Sequence, residues 1–408
     1  MSGKRLLVRF DAAVAIVGAC LMAACAGSPA PPAGAPATAA PTSKPAAAAS
    51  PGASPAASPG ASPAASPAAA AAPGGEPKPF AAGAAPAQGA AACTGPMRKI
   101  SLGVSVAPPN VVHTPPFVAR ALGYFAKRCI DANILQFEGG LSASNLTAVA
   151  QGTVMASLNE AAIGAGLKGK QVWGMAPKPP QSYVVAPEIK TASDLKGKRL
   201  SAAGGGVGSF NWIMGREVLK TAGLTVDDVQ FVAQGTAGRL PGLVSGQIEG
   251  VALHPEDVFL AQQQKPGVHI LVDLWELLPL YSYNSYGVSD DFLARDRDLV
   301  RDMVAGMIEA NRTIYQDKAK VIPIMMEATE KPQPAVEYAW DQLTKSCVWS
   351  VNAGFNRDRT EWSIQNSINN GDIEPSRKPT YEQVVYEALG NEALALVGGP
   401  ISIGDCKE

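Results

Sequence analysis

The sequence predicts an α/β protein of two lobes, each built on a mainly parallel sheet, with a helical C-terminal region. Three observations carry this. Strand-like and helix-like stretches alternate from residue 98 to residue 272, the pattern of a parallel sheet flanked by helices. The alternation breaks at 191–198 and restarts, and the stretch 93–408 is longer than one core usually serves. From Asp291 onward only helical spacing remains.

Ahead of this head lie two segments of a different kind. Lys4, Arg5 and Arg9 precede the uncharged apolar run 12–24, which ends in small residues before Cys25; this is the layout of a secretion signal. The run is shorter than the roughly 20 apolar residues of a permanent span, and no stop-transfer charges follow it, so cleavage is favoured over a retained anchor. Met22-Ala23-Ala24-Cys25 resembles the bacterial lipobox, whose cysteine is lipidated on sulfur. Val17-Gly18-Ala19-Cys20 competes, but cleavage there would leave only 12–19 as the apolar region. Loss of Lys4, Arg5, Arg9 and Asp11 takes the net charge from -1 to -3, so membrane attachment would come from lipid rather than from charge.

Residues 26–92 contain 30 Ala, 15 Pro, 8 Gly and 7 Ser and have nothing to bury. An ASPGASPA repeat places Ser-Pro at Ser50, Ser54, Ser58, Ser62 and Ser66, and each proline opposes helix at itself and its predecessor. As a flexible coil the segment would span about 45 Å. It reads as a spacer that carries the head away from its anchor, or as low-complexity sequence with no length requirement.

Within the head, strand 98–106 leads to helix 115–128, which opens on Pro115 and repeats apolar residues at Val118, Leu122 and Phe125. Strand 133–138, Gly139-Gly140 and helix 142–151 follow, then strand 154–158, Asn159 and an alanine-rich helix. Thr191-Ala192-Ser193-Asp194 has helix-start spacing. Strand 199–203 then runs into the glycine loop 204–208, and helices 211–222, 235–245 and 254–264 alternate with strands 229–233, 250–253 and 269–272. Residues 281–288 are rich in strand formers and carry the chain back. The expected lobes are 97–187 with 287–408, and 188–286. Leu299, Met303, Met307, Ile308 and Ile314 then mark one face of a long helix.

Past Cys25 the cysteines are Cys93, Cys129, Cys347 and Cys406. In an exported chain they suggest two disulfides with three possible connectivities. Cys93 with Cys129 and Cys347 with Cys406 is the expected pairing, because each pair ties a terminal extension to the body. The spacing does not suit zinc.

Several chemistries find no support. Lys+Arg of 34 against Asp+Glu of 35, with 17% charged residues, lacks the basic excess of a nucleic-acid binder. The 164–171 segment approaches a phosphate-binding loop but ends in Gln171 where a hydroxyl is required, and the 204–209 glycines do not match GxGxxG. His113, His254 and His269 are isolated in sequence. No catalytic residue, metal or cofactor is expected.

What remains is a set of strand-to-helix junctions whose amides can hold an anionic or carbonyl group, at the strand ends where α/β proteins bind ligands. The candidate contacts are Asn110 and His113 ahead of the first helix, and Gly140, Ser142 and Asn159 later in the first lobe. In the second lobe they are Gly206, Gly208, Ser209, Phe210, Trp212, Thr236 and His254, with Tyr281 and Tyr283 at the return crossing. The aromatics, with Tyr286, could sandwich a planar ligand; cations are scarce, Arg239 being the nearest.

The head resembles the type II periplasmic-binding-protein family that includes the thiamin-pyrimidine, alkanesulfonate, taurine and nitrate binders. The resemblance covers about residues 97–330. It rests on Ala121-Leu122-Gly123-Tyr124-Phe125 closing the first helix, Gly139-Gly140, and Ala192-Ser193-Asp194-Leu195-Lys196-Gly197-Lys198 ahead of the glycine loop, in that order. It implies the two-lobed Venus flytrap fold and a monomeric lipoprotein receptor for an ABC importer, which closes on a small solute and docks on a permease driven by an ATPase. The supply of aromatics and the scarcity of cations suggest as its solute a planar heteroaromatic vitamin or precursor, riboflavin or thiamin pyrimidine, with a sulfonate or taurine-type anion as the alternative. Pyrimidine synthases share the family, but their CCCFC motif is absent; a sensory or adhesive lipoprotein is the third alternative.

Overall fold

The structure, a computed structural model, describes residues 78–79, 93–137, 149, 153–156, 158–404 and 406. The signal, Cys20, Cys25, the Ser-Pro repeat and the 139–142 junction with Gly140 and Ser142 lie outside the described residues.

The strands are β1 (Lys78–Pro79), β2 (Arg98–Val104), β3 (Ile130–Gln136), β4 (Val154–Ala156), β5 (Gly169–Ala176), β6 (Ser182–Val185), β7 (Arg199–Ser201), β8 (Gln230–Val232), β9 (Gly250–Leu253), β10 (His269–Asp273) and β11 (Asn284–Ser289). They form two sheets, ordered β1-β3-β2-β4-β11-β5 and β10-β6-β9-β7-β8. β2 runs parallel to β3 and β4, and β7 runs parallel to β8 and β9. In each sheet an interior strand is reversed: β11 is antiparallel to β4 and β5, and β6 is antiparallel to β9 and β10. These two strands arrive from the opposite lobe, and no helical crossover over their own sheet sets their direction.

The crossings therefore fall between Ala176 and Ser182 and between Asp273 and Asn284, upstream of the boundaries expected from sequence. β5 and β6 carry no alternation to mark them. Val172 to Ala176 and all of β6 are buried, and a strand covered on both faces shows a continuous apolar run instead of a period of two.

The helices are α1 (Pro115–Ala121), α2 (Glu160–Gly164), α3 (Phe210–Lys220), α4 (Arg239–Ser245), α5 (Pro255–Gln264), α6 (Leu274–Leu277), α7 (Asp290–Gln316), α8 (Lys318–Thr329), α9 (Gln333–Lys345), α10 (Arg357–Asn369), α11 (Tyr381–Val384) and α12 (Glu387–Leu396). The first is shorter than the 115–128 expectation. Gly123 sits at φ +75° and Cys129 at φ +57°, and left-handed residues end a helix. Thr191 and Asp194 form a reciprocal capping box on a short 3-10 turn, Ala192–Leu195. On α7, Leu299, Met303, Met307, Ile308 and Ile314 are buried in the first lobe's core, beside Trp173 and Tyr286. Tyr286 stacks on Trp173 at 6.2 Å and is a core residue.

Both expected disulfides form. Cys93–Cys129 and Cys347–Cys406 have Cα separations of 5.2 and 5.3 Å. The C-terminal region also reaches beyond the first lobe: Trp362 of α10 packs on the second lobe's core, and Asp372 pairs with Arg216 of α3 at 3.1 Å. Ile364, on the same helix, packs with Tyr381 and Ile163 of α2 in the first lobe.

Candidate functional site

The C-terminal ends of the central strands converge on a cavity of about 100 Å³ between the two sheets. Ser105 follows β2 and Asn159 and Glu160 follow β4 on one side; Ala203 and Gly204 follow β7 and Thr236 follows β8 on the other. Tyr281, Ser282 and Tyr283 of the return crossing close one wall. This is the crevice position of an open α/β sheet.

Each junction has a local cause. Gly204, Gly205, Gly206 and Gly208 adopt φ of +87°, +128°, +79° and +83°, a region that only glycine enters freely. The loop delivers Ser209 as the N-cap of α3, its Oγ accepting from the Trp212 amide at 3.3 Å. Asn159 caps α2 in the same way, accepting from the Ala162 amide at 3.0 Å.

Phe210 meets Tyr283 at 5.4 Å and Tyr281 at 6.2 Å in edge-to-face contacts. His113 and His254 lie 5.3 Å apart. Burial, reinforced by Arg239, drives the His113 pKa down to about 3, and His254 is held well below its ordinary value by the same two causes. Both imidazoles are therefore neutral at ordinary pH. Tyr283 Oη lies 3.1 Å from His113 Nε2, and the Gln181 side-chain amide donates to His254 Nε2 at 3.1 Å. Among the described residues, the Nδ1 atoms of both histidines have no hydrogen-bond partner.

A polar seam joins the lobes beside this wall. Arg239, 5% exposed, donates to the Thr236 carbonyl at 2.9 Å and across the cleft to Asn110 Oδ1 at 2.8 Å. Asn110 donates in turn to Glu256 at 2.7 Å and to Asp257 at 3.2 Å, and the Val111 amide donates to Glu256 at 3.0 Å. Lys331 pairs with Asp257 from the helical region. Glu256 is buried; desolvation, with Asp257 adding to it, raises its pKa. Glu160, 6% exposed, is raised to about 7, chiefly by burial with a smaller push from Asp372.

Of the residues expected from sequence, His113, Asn159, Gly208, Ser209, Phe210, Thr236, Tyr281 and Tyr283 line the cavity. Asn110 and His254 stand behind its wall, in the seam and beside His113. Gly206 shapes the loop without lining the cavity, its amide donating to the Ala202 carbonyl at 3.0 Å. Trp212 is turned away, its ring 5.8 Å from Phe231 with the Arg216 guanidinium over it at 4.9 Å. His269 is on β10, its ring bonded to Gly267. Glu160, Asn211, Glu256 and Asp257 were missed. Glu160 directly follows Asn159, and the last two follow Pro255 at the start of α5, so the junction rule that found their neighbours could have found them. Among the described residues, no group of three or more His, Cys, Asp or Glu could hold a metal ion.

The family model described as NMT1/THI5 like matches residues 110–320, just over half of the 408 residues. The chain belongs to the NMT1/THI5-like family. No curated protein matches it. Among solved structures, this NMT1/THI5-like chain is similar to the alkanesulfonate-binding protein SsuA from Xanthomonas axonopodis pv. citri bound to MOPS. Identity is 15% and the TM-score 0.57, over 71% of this chain and 99% of that one. The periplasmic nitrate-binding protein NrtA from Synechocystis PCC 6803 is similar at 13% identity and a TM-score of 0.61, over 74% and 90%. The desulfurization enzyme DSZB is similar at 15% and 0.52, over 73% and 99%. These likenesses establish the fold, which is the type II periplasmic-binding-protein fold expected from the sequence.

Proposed function

We propose that this NMT1/THI5-like protein is the extracytoplasmic solute receptor of an ABC importer, held to the membrane through lipid on Cys25 and passing its solute to a permease and its ATPase. The observation that carries this is the small cavity between the lobes, lined from both of them and bordered by the Arg239 to Asn110 hydrogen bond. A solute that touches both lobes only when they meet selects the closed state.

The solute that the cavity suits best is a small one with an oxoanion head, of the sulfonate class. Arg239 presents a buried guanidinium, which binds planar or forked oxygen groups well, and Ser209 and Thr236 line the cavity beside it. Two of the structural neighbours are an alkanesulfonate-binding and a nitrate-binding protein. A cavity of about 100 Å³ is well below the roughly 300–1,000 Å³ of drug-sized sites, which weighs against riboflavin. The edge-to-face aromatics and the two neutral imidazoles favour a second reading, a pyrimidine. Binding is preferred to catalysis, although a desulfurization enzyme shares the fold: the four described cysteines are in disulfides.

Thermal unfolding of the full chain against alkanesulfonates, taurine, nitrate, a hydroxymethylpyrimidine and riboflavin tests this. A ligand at a hundredfold excess over its Kd adds about 2.7 kcal/mol to native-state stability. A raised midpoint with a sulfonate or taurine is the expected result. A shift with the pyrimidine alone would select the second reading, and one with riboflavin alone would contradict both.

A further inference from the structure

A second cavity, of about 90 Å³, opens where the first interlobe crossing meets the segments flanking α9 and α10, and it shares no lining residue with the cleft. Lys178, two residues past the end of β5, and Arg359, in the first turn of α10, both line it, and the Cys347–Cys406 disulfide forms one edge. Trp349, Val351 and Phe355 supply an apolar floor.

The two cations are unusual in this molecule. Both are partly buried. The other arginines at the lobe junctions have carboxylates nearby, Arg216 with Asp372 and Arg239 with Asp257. Among the described residues, Lys178 and Arg359 bond only to backbone carbonyls, of Ser346 at 3.4 Å and Pro279 at 2.5 Å. Burial and the facing Arg359 lower the Lys178 pKa, and burial lowers that of Arg359. Like charges that share a partly dry cavity cost free energy that an anion would remove. A guanidinium and an ammonium together match the forked oxygens of a carboxylate or sulfonate.

We propose that this cavity is a second binding site, which takes a small organic carboxylate or sulfonate with its oxygens between Lys178 and Arg359 and its short apolar body on Phe355 and Val351. The occupant would bridge the interlobe crossing and α10, the helix that packs against both lobes.

The test is local to Lys178 and independent of the cleft. The lysines of the full chain are modified by reductive methylation with formaldehyde and cyanoborohydride, with and without propionate as the probe, and the rate at each lysine is read by mass spectrometry. Propionate at about tenfold its Kd is expected to slow modification of Lys178 by about tenfold, because only the unoccupied fraction of the site reacts, while exposed Lys190 is unaffected. Arg239→Gln, which disables the cleft alone, should leave this protection intact. Arg359→Gln should abolish it and Arg359→Lys should retain part of it. Absence of protection in the unmodified chain, or full protection in Arg359→Gln, would overturn the proposal. So would a Lys178 that is unreactive without propionate and released by Asp405→Asn, since the cavity would then serve a carboxylate of this chain's own C-terminal segment.

Discussion

Arg239→Gln is expected to weaken solute binding by about a hundredfold or more, because breaking a buried, hydrogen-bonded charge contact costs about 3–5 kcal/mol. Arg239 is the one cation among the described residues lining the cleft, and it also donates one of the hydrogen bonds that join Asn110 to the second lobe. Glutamine is shorter and uncharged. It would lose both the attraction for an oxoanion and the reach to Asn110, while Asp257 keeps Lys331 as its partner. Calorimetric titration of the best ligand from the thermal panel measures the effect. Unchanged affinity would show that the guanidinium is structural and that the solute carries no anionic head near it.

The second large effect is on the pH dependence of stability. Glu160 titrates near 7 in the folded chain because it is buried, against an ordinary glutamate value of about 4.3 when unfolded. Between these two pH values the folded chain holds a proton that the unfolded chain has released, so this group's contribution to stability falls as pH rises through the window. Integrated, the loss is about 4 kcal/mol as an upper bound. Glu160→Gln removes it. The unfolding midpoint of the variant should therefore gain on that of the unmodified chain from pH 4 to pH 7.5, and the gain should flatten above that. Glu256 titrates high as well, but it is common to both proteins and cancels in the difference. His113, near 3, stays neutral throughout. Parallel midpoint profiles would mean that Glu160 is hydrated and ionised in the folded chain.

The fold was legible wherever a junction carried its own punctuation. Pro115, the Thr191 to Asp194 box, the glycine loop and Pro255 each mark a helix start that the structure places within a residue or two. β5 and β6 were not legible, because strands buried on both faces lose the alternation that identifies them, and with them went the position of the first crossing. Half the cleft could be read for the same reason that the junctions could: cavity residues sit where strands end. The seam could not. Arg239 meets Asn110 and Lys331 meets Asp257 only because two lobes and a helical region come together, and no local spacing encodes such a meeting. Trp212 shows the converse error. It lies two residues beyond Phe210 on α3, which turns its ring away from the cleft toward Phe231.

Capture of a solute between moving lobes is tested most directly by the distance between them. Spin labels at exposed Asp131 on β3 of the first lobe and exposed Gln263 on α5 of the second report it by double electron–electron resonance. Without solute a broad distribution that includes longer distances is expected, collapsing to a single short one when the ligand found by thermal shift is added. A ligand that raises the unfolding midpoint yet leaves the distribution unchanged would contradict a receptor that closes on its solute.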